Sequence, residues 1–340
     1  MTAKRLGAVI VAVALIAGGF AIRNVRDDAV SPDPSVPARP TDEPTDERTG
    51  DDDRAVICVP ELDVVCDAIA TAEPTRPVRT EEAMTTVGGL ADADAGTGAV
   101  PIWITVDPYP GMVDAQRAAA GDRALGLATT PVGSTPLVVV ATPERLDVLT
   151  AACGDVDIWA CLGDHAGERW DTLGGPASWG TLRPSLGDVT DSVTALASLR
   201  AAASGYFGTT DFSRSSWETD TGFLGWLRPL VRTVDAADLS ATTPLATMIT
   251  RPSALDVAAT TDAELAAMGS RGASLATHYP GTAMSLDAVI AAPQGAGGID
   301  ELVELASDAL TEAGWGSATD PIGPSAATTV ALIELWETTT

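Results

Sequence analysis

Three observations predict an α/β fold for the globular part of this chain. From residue 55 onward, short apolar runs rich in β-branched residues alternate with segments of helical periodicity. The hydrophobic fraction, 45%, is that of a chain able to build a sizeable core. The residues before 55 have a different composition, so the alternation begins at a boundary.

The N-terminal stretch divides in two. Lys4 and Arg5 precede an uncharged, mostly apolar run from Leu6 to Ile22, and Arg23 and Arg26 follow it. A basic flank leading such a run is an export signal. Its 17 residues stand at the lower limit for crossing a bilayer, about 17–25 residues. Residues 1–26 are therefore read as a signal anchor or, with Ala17-Gly18-Gly19 as the point of cleavage, a signal peptide. The polar spacer that follows favours the anchor. The expected location is the cell membrane, single-pass with an extracytoplasmic domain, or secreted if the segment is cleaved. Residues 27–54 carry ten acidic and three basic side chains and five prolines. A segment so poor in apolar side chains cannot offset the entropy of ordering it, so a disordered, extended linker is expected.

The elements then follow in order. Ala55-Val56-Ile57-Cys58-Val59 reads as a first strand, ended by Pro60, and Glu61 to Ala70 as a helix through Leu62, Val65 and Ile69. Val78-Arg79-Thr80 is a second strand, Glu81 to Leu90 a second helix, and Val100 to Val106 a third strand. Leu137 to Ala141 is the most β-like run, followed after Thr142-Pro143 by a helix from Glu144 to Ala152. Ser178 to Pro184 reads as a strand, Ser192 to Ser204 as a helix, and Gly222 to Val234 as a helix with a central proline. Ala246 to Thr250 looks strand-like, Asp262 to Met268 helical and Ser274 to Tyr279 strand-like. Ile299 to Ala313 is amphipathic and stopped by Gly314, whereas Ala327 to Trp336 suits a strand or a helix equally.

Four cysteines form two equally spaced pairs, Cys58 with Cys66 and Cys153 with Cys161. In an oxidising compartment an even count indicates disulfides, with three connectivities open. Local pairing is expected, because each pair encloses a short segment that can fold back on itself. Neither spacing suits a zinc site, and with His165 and His278 the only histidines, no metal is expected. The net charge of −27 speaks against nucleic acid and anionic lipid as partners.

No nucleophile elbow, P-loop, dinucleotide fingerprint or metalloprotease motif occurs in the sequence, so neither enzymatic activity nor a cofactor is expected. Of the eight tryptophans, Trp103, Trp159, Trp170, Trp179, Trp217 and Trp226 fall at loops or element ends, where such side chains line clefts or complete the core.

The order of elements resembles the extracytoplasmic solute-binding proteins of the type II periplasmic-binding fold. ICVPELDVVCDAIA looks like their first βα unit and VRTEEAMTT like the second strand and helix. WGTLRPSLGDVTDSVTALASLRAAASGYFG is similar to a strand–loop–helix of the family, with Arg183 where an acidic residue usually precedes the proline. LATHYPGTAMSLDAVIAAP resembles a returning crossover and GIDELVELASDALTEAGW a late lobe-one helix. The resemblance implies two α/β lobes joined by crossovers near Leu137–Thr142 and His278–Leu286. Residues 55–138 and 280–340 would form lobe one, and 143–277 lobe two. It implies a small polar solute bound in the inter-lobe cleft for uptake or sensing, with a membrane permease or envelope protein as partner. By position, Thr85, Thr86, Ser178, Trp179, Arg183 and Ser185 are the candidate ligand-binding residues. The alternative is an envelope scaffold that uses the same fold without a small ligand.

Overall fold

The computed structural model describes residues 54–93, 100–237 and 243–339. The expected membrane segment and nearly all of the expected linker lie outside the described residues. Among the described residues no helix is long and apolar enough to cross a membrane.

The first sheet begins with β1 (Val56–Cys58), whose apolar residues are all buried. A 3-10 turn at Pro60–Leu62 leads into α1 (Asp63–Ala72). Then come β2 (Val78–Thr80), α2 (Ala83–Ala91), β3 (Ile102–Val106), α3 (Tyr109–Ala120) and the long β4 (Ala128–Ala141). After β4 the chain runs through α4 (Pro143–Cys153), α5 (Ile158–His165), β5 (Pro184–Ser185), α6 (Val193–Phe207), α7 (Arg214–Thr219), α8 (Phe223–Ala237) and α9 (Pro244–Thr250). It continues with β6 (Val257–Thr261), α10 (Asp262–Ala267), β7 (Ala276–His278), β8 (Ser285–Ala292), α11 (Ile299–Glu312) and α12 (Ala326–Thr339).

The strands form a mixed sheet in each of two lobes. In the first, β1 lies parallel to β2 and β3, while β8 runs antiparallel to β3 and β4. In the second, β4 and β6 are antiparallel, β5 is parallel to β6, and β7 lies antiparallel along β4. β4 thus serves both sheets. Pro136 still pairs with Ser285 of β8, and the next residue, Leu137, pairs with Thr261 of β6. Proline cannot donate to a ladder and is confined to edges and irregularities of sheets. Pro136 stands where β4 changes partner, and Pro131 stands at a register shift with β8. The two prolines therefore mark the break in the ladder that lets one strand belong to two lobes.

Burial explains the helices. α6 is capped by Ser192, whose hydroxyl accepts from the Ala195 amide at 3.3 Å, and ends at Gly208 with φ of 65°. Residues 193–205 are all buried, so this helix is a central rod rather than a surface amphipath. At its C-terminal end Tyr206, Phe207, Phe212, Trp217, Phe223 and Trp226 form one aromatic cluster with centroid spacings of 4.9–6.2 Å. α5 and α8 touch where Gly163 meets Trp226. A Cβ on Gly163 would lie 2.1 Å from the indole, and that indole donates to the Ala160 carbonyl at 2.9 Å.

Two segments differ from the sequence expectation, and a third settles an open one. Ala246 to Thr250 is helical, because Thr243 caps the Ala246 amide and Pro244 occupies the first turn, both helix-start signals. Ser178 to Pro184 holds a 3-10 turn at Ala177–Trp179, and pairing begins only at Pro184. Ala327 to Trp336 belongs to α12, which packs against α3. Both cysteine pairs are disulfides, Cys58–Cys66 and Cys153–Cys161.

Candidate functional site: an acidic cavity

A cavity of about 590 Å³ is lined by residues that flank both sheets. From the first lobe the 3-10 turn after β1 contributes Glu61, α1 contributes Asp63 and Val64, and the residue before α2 contributes Glu82. The start of β8 and the end of α11 add Leu286, Ala313 and Trp315. From the second lobe come the β5–α6 loop and the starts of α9 and α10.

The loop geometry depends on one glycine. Gly187 has φ of 92°, which disfavours other residues, and a Cβ there would meet the Ala195 Cβ at 2.9 Å and the Pro244 ring at 3.3 Å. Its amide donates to the Ser185 hydroxyl at 3.2 Å. This turn brings Asp188, Asp191 and Ser192 to the cavity wall ahead of α6.

Glu61 joins the lobes. Its Oε1 accepts from the Ser192 hydroxyl at 2.9 Å and from the Val193 amide at 3.0 Å. A helix N-terminus attracts anions through its free amides and dipole, and here a carboxylate of the chain itself takes that place. Glu61 Oε2 is buried and has no hydrogen-bond partner among the described residues. Burial pushes the Glu61 carboxyl above its usual range, against the bonds from Ser192 and Val193, and the nearby Glu82 charge pushes it further. The Glu82 carboxyl is raised by desolvation and then by the Asp191 charge from the opposite lobe.

The other acids differ in their commitments. Glu264 accepts from the Thr243 and Thr260 hydroxyls, each at 2.6 Å. Asp188 accepts from the amide and hydroxyl of Thr190 at 3.0 and 2.7 Å. Six carboxylates, those of Glu61, Asp63, Glu82, Asp188, Asp191 and Glu264, line the cavity, and no arginine, lysine or histidine is among its described lining residues. Among the described residues none of the six is in an ion pair.

The six residues singled out in the sequence are not among those lining this cavity. Thr85 and Thr86 lie on α2 beyond Glu82, Thr85 exposed and Thr86 buried. Ser185 is buried behind Gly187, and Ser178 is an exposed residue of the 3-10 turn. Arg183 and Trp179 belong to a separate cluster around Asp256. That buried carboxylate pairs with Arg145 at 2.8 Å and Arg183 at 3.0 Å, and receives the Arg183 amide at 3.0 Å and the Trp170 indole at 3.4 Å. Arg183 also donates to the Ser253 carbonyl. The Arg145 guanidinium lies 5.9 and 5.5 Å from the Trp170 and Trp179 rings. Asp256 holds Arg183 in this cluster, apart from the residues that line the cavity. Five of the six tryptophans read as loop or end residues are buried in the core, with Trp179 partly buried. The tryptophan at the cavity is Trp315, just after the helix-ending Gly314.

No protein-family model and no curated protein matches the chain. Solved structures with a similar course include iron-bound HitA from Pseudomonas aeruginosa, with 10% identity and a TM-score of 0.48 over 84% of this chain and 99% of that one. A putative extracellular solute-binding protein from Bordetella parapertussis has 12% identity and a TM-score of 0.48 over 84% and 98%. The reduced form of the OxyR2 regulatory domain from Vibrio vulnificus has 14% identity and a TM-score of 0.40 over 75% and 94%.

Proposed function

We propose that this domain binds a small polar solute in the cavity between its lobes, outside the cytoplasm. The observation that carries this reading is the cavity itself, about 590 Å³ and walled by residues of both lobes. That volume suits a small ligand, and such sites favour the boundary between two packed units. Two disulfides agree with an oxidising location. In this reading residues 55–138 with 280–340 and residues 143–277 act as the lobes, the N-terminal segment tethers them, and a permease or another envelope protein receives the solute signal.

The second reading is a scaffold for protein partners, and Glu61 is the observation that favours it. By bonding to Ser192 and Val193, Glu61 ties the lobes together with protein groups alone.

Thermal unfolding of the oxidised domain against a panel of sugars, amino acids, amines and oxyanions separates the two. A solute at about 100 times its dissociation constant adds about 2.7 kcal/mol of stability. A rise in Tm confined to one chemical class supports solute binding. A folded protein that responds to no member of the panel, yet retains a protein partner, supports the scaffold.

A further inference from the structure

We infer that the cavity selects an organic cation, a protonated amine carried on an apolar body, with Glu61 as its principal anchor. This inference rests on the solute-binding reading above.

Acidic side chains crowd the surface of a chain with a net charge of −27, so the carboxylates alone do not make a site. The independent observation is the Glu61 side chain. Glu61 lines the cavity; its Oε1 accepts from Ser192 and Val193, while its Oε2 is buried without a donor among the described residues. A buried carboxylate oxygen left unpaired costs free energy that a charged donor recovers. An ammonium group carries three donors and no acceptor, which fits an oxygen lacking a donor. Glu82 and Asp191 line the cavity from opposite lobes, and the Asp191 charge raises the Glu82 carboxyl. A cation between them converts that repulsion into attraction. An anion finds the start of α6 occupied, because the Val193 amide donates to Glu61 and the Ala195 amide to Ser192.

The apolar body follows from the rest of the wall. Val64, Leu286, Ala313 and Trp315 line the same cavity. Trp315 is among these lining residues, and an indole offers both hydrocarbon contact and a π system that attracts a cation. A hydrated inorganic cation would leave that surface unused, whereas an alkyl- or arylamine covers it.

The test is calorimetric titration of the full chain with phenethylamine, alongside its neutral counterpart phenethyl alcohol and its anionic counterpart 3-phenylpropionate. Salt is held at about 0.15 M to screen diffuse attraction to the acidic surface. The expected result is binding of phenethylamine at least about tenfold tighter than either counterpart, a discrimination worth about 1.4 kcal/mol. E61Q keeps an acceptor for Ser192 and Val193 but loses the charge, and it should weaken the amine about tenfold or more. D191N, which leaves the lobe contact untouched, should weaken it too. D300N, an exposed acid on α11, should leave it unchanged.

Equal or tighter binding of the alcohol or the carboxylate overturns the cation inference and leaves solute binding standing. Amine binding that E61Q and D191N do not weaken, or that D300N weakens equally, also overturns it. If a broad panel of solutes of every charge leaves the chain unaffected, the solute-binding reading itself falls.

Discussion

Asp256 shows how one side chain decides where others go. It is buried, yet it holds two arginines, a backbone amide and an indole. Removing one member of a buried ion pair leaves the partner charges uncompensated and costs about 3–5 kcal/mol. D256N should therefore lose stability in that range, measured by urea unfolding. R183A should cost less, about 1–2 kcal/mol, because Arg145 still neutralises Asp256 and Arg183 is about one-third exposed (34%). R183A should also leave any cavity ligand bound as before. A large loss of ligand affinity in R183A, with stability intact, would show that Arg183 serves the site rather than the fold. The contrast with Glu61 explains what a sequence reveals at this scale. Residue types identify Glu61 and Asp256 equally as acids, and only the fold tells a committed carboxylate from one with an oxygen to spare. No local pattern signals that Asp256, 73 positions downstream of Arg183, will capture it.

At the scale of elements, what was readable followed periodicity. β1, β3 and the second half of β4 are continuous apolar runs buried as strands, and α1 and α11 show apolar stripes that meet each other. What misled was context. Met248 and Ile249 look β-like until Thr243-Pro244 is recognised as a helix start, and the half-buried α12 buries threonines along with its apolar residues, so its period does not show in the sequence. The cysteine spacing was readable because a short loop needs little beyond local folding to close. Both disulfides close segments with a sequence separation of 8, so on the chain-entropy account each contributes somewhat under about 3 kcal/mol. One pins β1 to α1 and the other α4 to α5, in different lobes and without shared partners. The double variants C58A/C66A and C153A/C161A should each lose about 2–3 kcal/mol in urea unfolding, and the quadruple variant should lose their sum. A quadruple loss well below that sum would mean that the lobes unfold separately, each governed by its own crosslink.

For the whole molecule, the excess of acid should set the direction in which stability moves with pH. Burial raises the carboxyls of Glu61, Glu82 and Asp107 above their usual values, with neighbouring acids adding to each. For a group whose folded pKa exceeds its unfolded one, the native state binds protons first as pH falls. Stability from that group is absent above the folded pKa, grows as pH falls through it, and is complete below the unfolded value of about 4.5 for glutamate or 3.8 for aspartate. Asp171 has the opposite sign, its carboxyl lowered by the Arg169 bond, but it withdraws stability only as pH falls through and below 3.8. Between pH 7.5 and pH 5 the raised groups therefore prevail, and relief of the −27 net charge acts in the same sense. The Tm should climb as pH falls across this interval, and E61Q, which removes the most deeply buried of the three, should flatten the climb. A bound amine should flatten it as well, because a cation beside Glu61 favours the ionised carboxylate and lowers the pKa that burial had raised. A Tm that falls steadily from pH 7.5 to pH 5 would mean that the carboxylates are held by compensating bonds rather than strained by burial, and the cavity would then have no need of a cation.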